Sequence, residues 1–133
     1  MNKRILALLL AAVLLLLAVG CGGSEKILST EGVPQEVLQS AQYKAALAEE
    51  TATVIAYNYV PLTDSAPVRA AVEKMQAGED AELRYYNFYD RNDSQGIDGM
   101  RLTVKDGVAA FQEASLTGYG DTVDWENVLY QQA

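Results

Sequence analysis

Met100-Arg101-Leu102-Thr103-Val104-Lys105-Asp106-Gly107-Val108-Ala109-Ala110-Phe111 is the stretch whose reading decides the fold. Met100, Leu102 and Val104 alternate with Arg101, Thr103 and Lys105, the period of two that a β-strand imposes. Asp106-Gly107 then suits a two-residue hairpin turn, because both residue types tolerate positive φ. Closing that turn pairs Lys105 with Val108, Val104 with Ala109, and Leu102 with Phe111. The register gathers Leu102, Val104, Ala109 and Phe111 on one face, which is expected to be the buried one.

Upstream, residues 81–90 read as a strand with two interleaved sets, Leu83, Tyr85, Asn87 and Tyr89 against Glu82, Arg84, Tyr86 and Phe88. Neither set is cleanly polar, so the alternation leaves the buried face open. Residues 65–78 read as a helix. Ser65 is a plausible N-cap, Pro67 sits in the first turn, and Gly78 supplies the stop. Val68, Ala71, Val72 and Met75 fall at i, i+3, i+4 and i+7, a stripe that can cover the sheet. Residues 52–60, with β-branched and aromatic side chains, give a further strand, and Pro61 ends it. If this strand runs parallel to 81–90, the crossover through the helix is expected to be right-handed. A first helix is predicted over 34–50, with Pro34 in its first turn and an alanine-rich stripe. A short last helix is predicted around Trp125, Val128 and Leu129, capped by Asp121 or Thr122.

The order α-β-α-β-β-β predicts a two-layer α+β domain. Its sheet is expected to have four strands, mostly antiparallel, with two helices on one face.

The chain has 133 residues, no His, one Cys and a formal net charge of −8. Without His, and with one Cys, Ser-His-Asp and Cys-His nucleophile pairs, Cys/His zinc sites and internal disulfides are excluded. The acidic balance offers no footprint for nucleic acid. Carboxylate pairs at Glu49-Glu50, Glu79-Asp80 and Asp124 with Glu126 are sequence neighbours near element ends, where a solvated surface is the expected reading. No cofactor motif is present, and an enzyme is not expected. A glycan hydrolase using distant carboxylates is the rival reading.

Two stretches are candidate binding sites. Asp90, Asn92, Asp93 and Asp98 place oxygens at alternating positions, distantly like a calcium loop. However, counted from Asp90 the glycine falls at seven instead of six, and Arg101 stands where a bidentate Glu is needed. The plain reading of 90–99 is a turn-rich loop. Tyr57, Tyr59, Tyr85, Tyr86 and Tyr89 could stack on a sugar or peptide, although tyrosine is also an ordinary strand residue.

At the N-terminus, Lys3 and Arg4 precede fifteen uninterrupted apolar residues, 5–19, and then Gly20-Cys21. This is the charged, apolar and small-residue sequence of a secretory signal. Fifteen apolar residues fall short of the ~20 that span a bilayer as a helix. Leu17-Ala18-Val19-Gly20-Cys21 resembles the lipobox of bacterial lipoproteins. The resemblance implies cleavage between Gly20 and Cys21 and acylation of the Cys21 sulfur with palmitate-type chains. Two or more such chains anchor stably.

Residues 1–20 are then a signal peptide, 21–33 a lipidated tether and 34–133 one α+β domain. Loss of Lys3 and Arg4 moves the net charge from −8 to −10. Such a protein is expected at the outer face of the cell membrane, held by lipid on Cys21. Its expected role is a non-enzymatic binding or accessory module for an envelope protein or small ligand. An acidic inhibitor or immunity protein is a further alternative.

Thr53-Val54-Ile55-Ala56, Met75-Gln76-Ala77-Gly78, Glu82-Leu83-Arg84-Tyr85-Tyr86 and Val104-Lys105-Asp106-Gly107 carry a second resemblance. Between residues 52 and 108 the chain resembles a family of small Gram-positive lipoproteins whose domain has no known function, departing from it in the 90–99 loop. It implies a compact lipid-anchored α+β module and brings no catalytic residues.

Overall fold

The computed structural model describes residues 26–128 and 130–132. The predicted signal with Gly20 and Cys21, residues 22–25, Leu129 and Ala133 lie outside the described residues. The elements in chain order are α1 (Gln35–Leu38), α2 (Ala41–Ala48), β1 (Ala52–Tyr57), β2 (Val60–Pro61), α3 (Ala66–Gln76), β3 (Ala81–Arg91), β4 (Ser94–Lys105), β5 (Val108–Thr117) and β6 (Tyr130–Gln132). The class is α+β, as predicted. The sheet is not four-stranded: it is a mixed sheet in the order β2-β1-β3-β4-β5-β6, ending in the short edge strand β6.

Strands β1 and β3 run parallel. The chain first returns along β1 as β2, so it reaches α3 from the same end of the sheet at which β3 begins. A simple helical crossover is therefore replaced by a hairpin followed by a helix.

The β4–β5 hairpin closes in the predicted register, with Lys105 opposite Val108 and Leu102 opposite Phe111. Asp106 and Gly107 take φ of 52° and 76°. The buried face is the other one. Ile55, Tyr86, Phe88 and Ile97 share a face by register and form the core with Val37, Tyr43, Ala46, Tyr119 and Trp125. Leu102, Val104 and Phe111 are half-buried on the opposite face, Ala109 is exposed, and none of them joins that core. Apolar residues lie on both faces of β3 and β4, so alternation alone could not choose between them.

The single first helix predicted over 34–50 is two helices. Ser40 breaks it: its Oγ donates to the Val37 carbonyl at 2.6 Å and accepts the Tyr43 N–H, which caps α2. Helix α3 lies where predicted, but Ser65 makes no side-chain cap bond, the Ala66 N–H going to Asp64 Oδ1 instead. Of the predicted stripe, Ala71 is buried while Val72 is exposed. The helix ends in a Schellman turn, with Gly78 N–H bonded to Met75 O and Glu79 N–H to Lys74 O. The helices do not share one face. Val37, Tyr43 and Ala46 bring α1 and α2 onto the core, whereas no α3 residue joins it. Instead, α3 packs against β1 and β3. Its Pro67, Ala70, Ala71 and Lys74 share a recess with Ala52 and Ala81, the first residues of those strands.

The predicted loop at 90–99 is mostly strand. Asn92 and Asp93, with φ of 45° and 68°, form a two-residue turn, and β4 starts at Ser94. Glycines inside a strand usually weaken it, and here two aromatic rings cover them. The Tyr89 ring lies over Gly96, where an added Cβ would come within 2.3 Å of its hydroxyl. Trp125 lies over Gly99, 3.3 Å from the corresponding point. Among the described residues the predicted last helix does not form. Residues 125–128 are turns that seat Trp125 in the core before β6.

Residues 26–33, expected as tether, belong to the domain. Ile27 bridges Thr63 in antiparallel fashion, Leu28 N–H donates to Leu62 O at 2.8 Å, and Val33 is in the core.

Candidate functional site

The five tyrosines separate into two groups. Tyr86 is fully buried and Tyr57 packs against the core, so both are structural. Tyr85 and Tyr89 are two steps apart on the opposite face of β3 and half-buried. Tyr59 is more than half exposed at the β1–β2 turn.

That turn is built by side-chain amides. Asn58 and Tyr59 take φ of 45° and 67°, a conformation that costs a side-chain-bearing residue roughly 1–2 kcal/mol. Asn58 Oδ1 accepts the Asp90 N–H at 3.0 Å, and Asn87 Oδ1 accepts the Tyr59 N–H at 2.8 Å. The Arg91 guanidinium stacks 4.4 Å from the Tyr59 ring centroid. Burial raises the Tyr85 hydroxyl pKa above its ordinary value, and Tyr59 and Asp98 nearby add to the shift. Asn87 is fully buried, and its Nδ2 has no hydrogen-bond partner among the described residues. With the half-buried Met100, Leu102, Val104 and Phe111 alongside, this face offers aromatic and aliphatic contact area with a few polar groups.

The calcium candidates are dispersed by the hairpin. Asn92 and Asp93 form the turn, Asp90 is exposed on β3, and Asp98 accepts the Ser115 hydroxyl at 2.9 Å. Among the described residues no group of three or more His, Cys, Asp or Glu side chains could hold a metal ion.

A charged network at the other end of the sheet escaped the sequence reading, which put Glu49-Glu50 in solvent. Glu49 Oε1 accepts from Tyr86 Oη at 2.6 Å and Arg84 Nη1 at 2.9 Å, and Oε2 accepts from Thr53 Oγ1 at 3.0 Å. Glu82 pairs with Arg84 on one side and Arg101 on the other, and Trp125 Nε1 donates to Tyr86 Oη at 3.2 Å. Burial works against the Arg84 charge. The bond to Glu49 and the attraction of Glu49 and Glu82 outweigh it, so the Arg84 pKa is raised. Burial and the Glu49 bond together push the Tyr86 hydroxyl up to about 12. The available signal was Glu82, Arg84 and Tyr86 at alternating positions of one strand, which shares one face among them.

Glu49 and Glu82 both line the recess, an opening of about 660 Å³ that also takes in Lys26, Asp64, Lys74 and Asp80. Glu49 and Glu82 are both engaged as acceptors by Arg84.

No family model matches the chain, and no curated protein or solved structure is similar to it.

Proposed function

We propose that this protein is a lipid-anchored binding module of the bacterial cell envelope, held at the outer face of the cytoplasmic membrane through Cys21 and acting without catalysis. The observation that carries the binding reading is the sheet face of Tyr85, Met100, Leu102 and Phe111. These large apolar side chains are half-buried and lie outside the core. Apolar side chains left partly exposed outside the core offer contact area for a partner. The anchoring reading rests on the Leu17–Cys21 resemblance. The engagement of Glu49 and Glu82 with Arg84 weighs against the hydrolase alternative.

Two experiments test the two halves. Metabolic labelling with an acyl probe should mark the wild-type chain and not Cys21→Ser; equal labelling would remove the anchor. A photo-crosslinking residue at Leu102 should capture an envelope partner in intact cells, while one at the exposed Lys44 on α2 should not. Identical capture patterns would remove the proposed binding face.

A further inference from the structure

The domain has two distinct ends along its strands. At one lies the recess, with the first residues of β1 and β3, the Asp106-Gly107 turn and Lys26. At the other lie the Asn58-Tyr59 and Asn92-Asp93 turns with Arg91 stacked on Tyr59. The eleven residues of β3 separate the ends by about 33 Å at the rise of a strand.

Lys26 is clamped at the recess end. Its Nζ donates to the carbonyls of Ala46 at 3.0 Å, Leu47 at 3.3 Å and Glu49 at 3.0 Å, the last acceptors of α2. Residues 26–28 run antiparallel to 62–64, so the chain enters at the recess end and heads toward the other. Four residues separate Lys26 from Cys21. Covalent geometry lets those five steps span at most about 18 Å, roughly half the distance between the two ends.

From this we infer that the short link holds the recess end of the domain against the bilayer and turns the Tyr59–Arg91 tip outward. The inference rests on acylation of Cys21. The bilayer that holds the anchor is the surface the recess end faces. Tyr59, Val60 and Arg91 are then the groups carried farthest from the membrane.

The test uses the mature acylated protein reconstituted in phosphatidylcholine vesicles with a quencher on the lipid headgroup. Cysteines are introduced one at a time at two exposed positions, Gln76→Cys near the recess and Ser94→Cys at the tip, and labelled with a small fluorophore. The label at 76 should be quenched several-fold more than the label at 94. Insertion of about twelve Gly/Ser residues between Cys21 and Lys26 leaves the Lys26 clamp intact and should abolish the difference. Equal quenching without the insertion, stronger quenching at 94, or an unchanged difference with the insertion would each overturn the orientation. Protein that fails to stay with the vesicles would overturn the anchor itself, and the orientation with it.

Discussion

On one face of the sheet Tyr86 and Phe88 are sealed beneath α2, Tyr119 and Trp125, while on the other Tyr85, Leu102 and Phe111 stay half-buried outside the core. The two faces differ little in composition. What separates them is the covering layer: α1, α2 and the 119–128 segment all bring their apolar residues to the same side. Burial in this domain is decided by what comes to lie over a strand more than by the strand's own pattern.

Replacing Phe88 by Ala should therefore cost about 3–5 kcal/mol, the range for a fully buried aromatic. Phe111→Ala on the other face should cost only about 1–1.5 kcal/mol. Urea denaturation of the mature protein measures both, and equal costs would erase the distinction between the faces.

The covered face also holds a strongly shifted tyrosine. Tyr86 has its folded pKa raised from 10.0 to about 12. Its contribution is fully present below pH 10 and is lost as pH rises through 12, because the unfolded chain gives up this proton first. The loss is roughly 3 kcal/mol at two pKa units. Thermal melts from pH 9 to 12 should show the fall, and Tyr86→Phe should flatten it. An undiminished slope in that variant would assign the effect to other groups.

The glycines reverse the ranking. Gly96→Ala, on the open face, would push a Cβ to within 2.4 Å of the Leu116 backbone oxygen, and about 2–3 kcal/mol is expected. Gly99→Ala, under Trp125 on the covered face, meets only side-chain atoms at 3.3 Å or beyond and should cost about 1 kcal/mol. Denaturation midpoints of the two variants decide it, and a larger loss for Gly99→Ala would contradict the packing described for Tyr89 over Gly96. The smallest effect has the opposite sign. Tyr59→Gly relieves a left-handed residue and should stabilise by about 1 kcal/mol or less. Loss of stability there would mean that the Arg91 stack outweighs the strain.

Legibility in the sequence followed the range of the interactions. The Asp106-Gly107 hairpin and the helix ending at Gly78 were readable because turn chemistry, the glycine stop and periodicity act within a few residues, although the expected Ser65 cap does not form. The face of the hairpin was not readable, since it depends on Trp125 and Tyr43 arriving from far along the chain. Asn92, Asp93, Gly96 and Gly99 looked like a loop because their local preference is for turns. Tyr89 and Trp125 hold the glycines in a strand from outside that stretch. Of the candidate tyrosines, Tyr59 lies near Tyr85 and Tyr89 covers Gly96, while Tyr57 and Tyr86 went to the core. The Glu49–Arg84 contact spans 35 positions, and nothing near Glu49 announced it.

Strand length is graded across the sheet: β3, β4 and β5 hold 11, 12 and 10 residues, while β2 and β6 at the borders hold two and three. Long strands keep their ladders satisfied in the interior, and the border strands themselves are too short to offer a long ladder, although β6 pairs only with Ala110–Gln112 of β5. Pro61 sharpens this on one side, because it has no N–H to offer a newcomer. Sideways encounters between molecules are the condition under which an exposed long border would template stacking from one to the next. At the β2 border such encounters find only two residues of ladder to extend, one of them Pro61.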